Sequence, residues 1–407
     1  AIDTGVLAAD ARSKSVRLLS AGRTDGYCRH HWRFSDDEKV MRVVLSALVF
    51  FIVAPGLADD AAIPDYPTNV YWGDTHLHTY LSADAFALGS RLTPADAYRF
   101  AKGEAVQGTA GSESKLRRPL DFLMIADHAE NLGVLPRIAA NDPSVPENDV
   151  TRQWAQELRD LTPLAEIMWA ETLEEHQAGR DRSSTNSKGF SADFAIDAAL
   201  RQSVWQSVID AAEEHYVPGI FTTFVGYEWT AGGVGSIHRN VLFADGPDVT
   251  SKILPFSSDD SSNPEDLWAF LQSYETEYGG NAIAIPHNGN LSRGAMFKLQ
   301  TTDDKPLSKG YAEARARWEP IYEVTQIKGD SETHPQLSPD DEFADFETWP
   351  PAAWGQEYGG ELASYARSAL KEGLRQEAEL GVNPFQFGMI GSTDAHTGLA
   401  TADENNF

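Results

Sequence analysis

From Asn69 onward, short apolar runs alternate with longer polar segments that carry apolar residues at helical spacing. The runs are "NVYWGDTH", "LDFLMIADH", "IFTTFVGYEW", "HRNVLFAD", "NAIAIPHN", "PIYEVTQIK" and "FQFGMIGSTDAH". Short apolar runs bounded by turn residues predict buried strands, and strands alternating with helices predict an α/β chain with a largely parallel sheet. Helix starts are marked where Thr93 precedes Pro94 and where Asn263 precedes Pro264, a cap followed by a first-turn proline. The segment "ELASYARSALKEGLRQEAELG" repeats its apolar positions with helical period and stops at Gly381, a C-terminal cap.

Between about residues 131 and 218 the pattern changes. "NDPSVPENDV" and "AGRDRSSTNSKGFSADF" are polar and turn-rich, whereas "TRQWAQELRDL" and "DAALRQSVWQSVIDAAEEH" look helical. This predicts a largely helical insertion in a loop rather than a separate domain. The chain upstream of Asn69 has another character. Met41 and Arg42 precede an apolar stretch from Val43 to Val53, and Gly56 and Ala58 occupy the small-residue positions of a cleavage site. That stretch is too short to span a bilayer, so residues 41–58 read as a secretory signal peptide. Residues 1–40 would then precede the true start, and residues 59–407 would form one domain of a periplasmic or secreted protein. The closing "TADENNF" follows a chemistry-bearing motif with no helix after it, as expected of a record cut short at its C-terminus.

The formal charge of −28 changes the list of partners. Such a surface repels nucleic acid and anionic membranes, so neither is expected as a partner, and no stable membrane association is expected after signal cleavage. Oligomeric state is not legible. The one cysteine, Cys28, lies in the upstream segment. Any metal in the domain must therefore be held by nitrogen and oxygen.

Nine histidines follow residue 59, and six of them, His76, His78, His128, His238, His287 and His396, lie at an end of an apolar run. Five follow their run, and His238 precedes its own. His176, His215 and His334 fall in helical or polar contexts and are expected at the surface. Carboxylates join the six: Asp74 and Asp84 flank the first pair, Asp127 precedes His128, Glu228 lies near the end of its run, and Asp394 precedes His396 by two. A lone histidine at a strand end is more often structural than a ligand. Six with interleaved carboxylates would each need a buried partner or cost a few kcal/mol. Divalent cations satisfy several at once, so a polynuclear metal site is the better reading.

"DTHLHT", "IADH", "GYE", "PHNG" and "GSTDAH", in that order, resemble the motifs of the polymerase and histidinol phosphatase (PHP) superfamily of metal-dependent phosphoesterases. The resemblance runs from about Asn69 to Phe407 and points to an exported branch catalogued as a domain of unknown function. It implies a distorted, TIM-like (β/α)7 barrel with two or three divalent ions (Zn, Mn or Fe) at the strand ends. His76, His78, Glu228 and Asp394 would hold the first ion. Glu228 would bridge to a second, completed by His238 and His287. The third would use His128, His396 and Asp84, where many relatives have histidine.

The activity implied is hydrolysis of a small anionic phosphate ester by a metal-activated hydroxide. Asp127 and Asp394 are the candidate general bases or orienting groups, and Arg239 the candidate binder of substrate oxygens, with Arg293 a weaker one. Asp74 is expected either to fix an imidazole tautomer or to be a turn residue. Lys115, Arg117 and Arg118 read as a solvated loop, and Trp72, Tyr227 and Trp229 as packing. Two alternatives stay open, a sulfate-ester hydrolase with the same centre and a catalytically inactive metal-binding protein. Serine hydrolase and phosphate-loop readings lack their motifs, G-x-S-x-G and G-x-x-x-x-G-K-[ST].

Overall fold

The computed structural model describes residues 8–10, 15–17, 68–159, 196–231, 236–349 and 360–401. The signal segment 41–58, Cys28, His176, the middle of the expected insertion and the last six residues lie outside the described residues. In chain order the strands are β1 (Ala8–Asp10), β2 (Ser15–Arg17), β3 (Gly73–Leu77), β4 (Val106–Gln107), β5 (Glu113–Ser114), β6 (Phe122–Ile125), β7 (Thr222–Trp229), β8 (Arg239–Phe243), β9 (Ala282–Pro286), β10 (Ile321–Gln326), β11 (Gly329–Asp330) and β12 (Gly388–Gly391). The helices are α1 (Ala83–Ala87), α2 (Pro94–Ala101), α3 (Val134–Ala139), α4 (Asp149–Arg159), α5 (Ala198–His215), α6 (Pro247–Thr250), α7 (Pro264–Tyr278), α8 (Lys309–Trp318) and α9 (Ala366–Leu380).

Each of the seven apolar runs contains a strand, but they do not assemble as expected. The (β/α)7 barrel is replaced by two sheets. One is a curled, five-stranded half-barrel in the order β3-β6-β7-β8-β9, and the other has the order β11-β10-β12. Strands β3, β6 and β7 are parallel, whereas β8 is antiparallel to both β7 and β9. The reason lies in the connections. A parallel crossover needs a dozen or more residues, usually a helix, and only residues 230–238 separate β7 from β8. The reversed β8 also explains why His238 precedes its strand. On an antiparallel strand, the N-terminal end lies beside the C-terminal ends of its parallel neighbours.

Strand alternation divides the residues between two cores. On the outer face, Leu123, Ile125, Val225, Tyr227, Val241 and Phe243 pack against Trp205 and Ile209 of α5 and Leu267 and Leu271 of α7. The last helix of the expected insertion thus belongs to the main core. On the inner face, Met124, Phe224, Leu242 and Ile285 meet Ile321 and Ile390 of the smaller sheet. The polar cluster continues these inner rows. Gly226 precedes Glu228 by two on β7, and a Cβ at Gly226 would collide with the Met124 sulfur.

Helix ends follow the local signals. Thr93 and Asp96 form a reciprocal capping box at α2, with Pro94 as its first residue. Such caps are worth about 1 kcal/mol. Gly279 and Gly381 end α7 and α9 at φ 68° and 79°. Among the described residues, no helix is long and apolar enough to cross a membrane.

Candidate metal centre

The inner row of each strand delivers its polar end to one buried place. His76 and Asp74 share the parity of β3, with His78 just beyond it. Glu228 lies on β7, His238 precedes β8 and His287 follows β9. The loop after β12 returns to β3: the Asp394 amide donates to the His76 carbonyl at 2.8 Å, and the His78 amide to the Ala395 carbonyl at 2.9 Å. Asp394 itself is held at φ 51°, a conformation uncommon outside glycine and asparagine.

Glu228 is the hub. Its Oε1 lies 2.7 Å from His238 Nδ1 and 2.9 Å from His287 Nε2. Its Oε2 lies 3.4 Å from His76 Nε2, 3.1 Å from His78 Nε2 and 3.3 Å from His128 Nδ1. Asp394 Oδ1 lies 3.3 Å from His76 Nε2 and 3.2 Å from His78 Nε2. A second carboxylate, Asp84, places Oδ2 at 3.0 Å from His128 Nε2 and 2.8 Å from His396 Nε2. The potential ligand atoms within each of the sets His76/His78/Glu228, Glu228/His238/His287 and His78/Asp84/His128/His396 lie within 4.8 Å of one another. These clusters can hold metal ions.

The hydrogen bonds around the rings test whether a cation fits. Ser82 has one hydroxyl hydrogen and gives it to Asp84 Oδ1 at 2.7 Å, so at 3.0 Å it can only accept from His78 Nδ1. Burial holds His78 below its ordinary range, hence neutral, and its Nε2 carries a lone pair. That lone pair faces carboxylate oxygens of Glu228 and Asp394. His396 repeats the arrangement. Its Nδ1 donates to the Asp394 carbonyl at 2.8 Å, burial lowers its pKa to about 4, and the remaining nitrogen faces Asp84. Asp394 Oδ1 is buried with no hydrogen-bond partner. Acceptor facing acceptor is repulsive unless a cation lies between them.

The other titratable groups show the same demand for positive charge. Burial pushes His76 down, but the carboxylates of Glu323 and Glu228 outweigh it and raise the ring to about 9. His128 goes to about 10, because Asp84 and Glu228 outweigh its burial. Burial would raise Glu228, yet His128 and His287 with the bonds from His238 and His287 hold it well below the usual carboxylate range. Asp84 is held low in the same way by His128 and His396.

Not every expected residue points inward. Arg239 shares a strand with neighbours of opposite parity and faces outward, buried. Its Nε donates to Glu319 at 3.0 Å, and its guanidinium lies 5.9 Å from the Trp229 ring. Arg315 holds the other oxygen of Glu319 at 3.1 Å. Asp127 accepts from the Thr79 amide at 2.6 Å and the Thr79 hydroxyl at 2.7 Å, so both oxygens shape the turn after His78. Asp74 accepts from the His76 amide at 2.9 Å and from the Thr393 hydroxyl at 2.5 Å, fastening the Asp394 loop to β3. It touches no imidazole nitrogen. His215, expected at the surface, is buried, with Lys102 at 3.0 Å from its Nδ1. Arg293 and His334 are half-buried. Lys115, Arg117 and Arg118 are exposed, while Tyr227 and Trp229 are buried core.

Four groups around the cluster went unnoticed in the sequence. Glu323 on β10 meets His76 Nδ1 at 2.9 Å and fixes that ring, the role considered for Asp74. Ser82 orients His78, and Thr230 lies 2.5 Å from His128 Nδ1. Lys328, half-buried in the turn between β10 and β11, bonds Asp394 Oδ2. Glu323 had a signal, since a lone acid inside the apolar run "PIYEVTQIK" needs a buried partner.

No curated protein and no solved structure matches this chain. The profile of one family, described as "Protein of unknown function (DUF3604)", matches residues 65–407, and the chain belongs to that family.

Proposed function

We propose that this protein is a metal-dependent hydrolase of phosphate esters, related in its chemistry to the PHP phosphoesterases. The order of "DTHLHT", "IADH", "GYE", "PHNG" and "GSTDAH" supports the kinship, which is one of site rather than of barrel. One observation carries the reading. The lone pair of His78 Nε2 and Asp394 Oδ1, which has no hydrogen-bond partner, converge 3.2 Å apart beside Glu228, an arrangement that a divalent ion satisfies.

Divalent ions held there, Zn, Mn or Fe, would supply Lewis acidity to activate water near neutral pH and to offset charge building on a tetrahedral ester. His76, His78, Glu228 and Asp394 form one position, Glu228, His238 and His287 a second, and Asp84, His128 and His396 a third. The protein's part is to fix this geometry beforehand. Glu323 and Ser82 set the tautomers of His76 and His78, and Asp74 and Asp127 lock the two turns that carry the ligands. Asp394, with one oxygen in the first position and the other bonded to Lys328, is the candidate group for orienting water.

The acidic charge of the chain favours a small-molecule anionic ester over nucleic acid as partner. The apolar segment after Met41 supports export to the periplasm or beyond. The test is a hydrolysis screen of phosphate monoesters, phosphate diesters and sulfate esters with Zn, Mn and Fe each added. Turnover of a phosphate ester that chelation abolishes is the expected result. Metal-dependent turnover of sulfate esters alone would transfer the reading to sulfate, and no turnover with any metal would reject it.

A further inference from the structure

We propose that Lys328 is the group of this site that receives the non-reacting oxygens of a tetrahedral oxyanion; the inference rests on the hydrolase reading above. Anions entering a pocket with so many carboxylates need a cation besides the metals. Of the two arginines nearest the histidines in sequence, Arg239 is committed to Glu319 on the far side of β8. Among the described residues, Lys328 is a cation that reaches the cluster, at Asp394.

Its position is built rather than incidental. Lys328 sits in the two-residue turn of the β10–β11 hairpin, where Gln326 pairs with Gly329. The Lys328 amide donates to Gln326 Oε1 at 3.0 Å, and its carbonyl accepts from Asn290 Nδ2 at 2.9 Å. Asn290 is itself fixed by Ser331, whose hydroxyl donates to Asn290 Oδ1 at 2.9 Å. The Ile327 amide ties the same turn to the Thr393 carbonyl at 3.3 Å, next to Asp394. Two buried amides thus clamp the backbone of one lysine, whose ammonium reaches Asp394.

That ammonium bonds Asp394 Oδ2, while Oδ1 of the same carboxylate faces the His76 and His78 nitrogens. Cation and metal position therefore lie on the two oxygens of one side chain. A tetrahedral oxyanion with one oxygen on the metal position has Lys328 within reach of another. Gln326 Nε2, buried with no hydrogen-bond partner, offers a second donor on the residue that bears the lysine turn.

The test is calorimetric titration of inorganic phosphate into metal-loaded protein, as wild type, Lys328→Gln and Lys328→Arg, with metal content measured in each. The expectation is equal metal content in all three, phosphate binding by the wild type, about tenfold or greater weakening in Lys328→Gln, and substantial recovery in Lys328→Arg. Inorganic sulfate serves as a parallel probe, and the same loss of its affinity supports the same role. Unchanged phosphate affinity in Lys328→Gln, or no phosphate binding by metal-loaded wild type, overturns the proposal. So does loss of metal in Lys328→Gln, which would make the lysine a support of the ligands. Failure of the wild type to take up metal appears separately, in the metal analysis, and defeats the hydrolase reading itself along with this one.

Discussion

Metal uptake should expel protons, and the number follows from the two raised imidazoles. His76 and His128 have pKa values of about 9 and about 10 in the metal-free pocket, so at pH 7 both rings are almost fully charged. A metal ligand must be neutral at its bonding nitrogen. Filling the positions of His76 and His128 therefore displaces about two protons per chain at pH 7, and each position strengthens about tenfold per pH unit. A metal-activated water with a pKa near 7 adds up to about one more proton, but far less at about pH 6. Titration calorimetry in two buffers of different ionisation enthalpy, at about pH 6 and again near 7, separates the contributions. Release of about two protons persisting at the lower pH is the expected result. Absence of proton release at both would refute the charge state assigned to the empty cluster. The sign also predicts stability without metal. Both folded values exceed the ordinary 6.5, so the contribution of these charges is complete below that pH and is lost as pH rises through about 9 and 10. Metal-free protein should melt at lower temperature at alkaline pH, and loaded protein should not follow the same curve.

Glu323→Gln should leave the metal count unchanged but weaken metal affinity roughly 10- to 100-fold, since it loosens His76 without removing a ligand; competition with a chelator measures it, and unaltered affinity would separate Glu323 from the centre. Asp84→Asn should lower occupancy of one metal only, read by elemental analysis, while an unchanged count would remove Asp84 from the ligands. Arg239→Met should cost roughly 3 kcal/mol of stability, the low end for breaking a buried pair because Arg315 still holds Glu319. Denaturant unfolding measures that loss, and a stable variant with impaired ester binding would return Arg239 to the substrate.

Much of the site was legible because metal chemistry concentrates rare residues at strand ends. His76, His78, His128, His287 and His396 each follow an apolar run, and the strands carry them to one place whatever the sheet order. Architecture was less legible. The period-2 pattern of "HRNVLFAD" is the same whether the strand runs parallel or antiparallel, so the reversal of β8 was not legible from its pattern. Its clue was His238 standing before the strand rather than after it. Parity also held the answer for Arg239, since adjacent strand residues face opposite sides and His238 had already taken the inner one. Asp127 and Asp74 were ambiguous for a different reason. An acid beside a histidine in sequence is as well placed to hold a turn as to work on substrate, and only the Thr79 and Thr393 hydrogen bonds decide. Glu323 left one local trace, an acid inside an apolar run, whereas Lys328 comes from a turn far from every histidine motif, where long-range pairing leaves none.

The central claim is that these side chains share divalent ions, and elemental analysis of protein purified without chelator, then reconstituted with Zn, Mn or Fe, tests it most directly. Two or more ions per chain in the wild type, falling to one or none in Glu228→Gln with the fold retained, is the predicted result. A wild-type content near zero after reconstitution would contradict it.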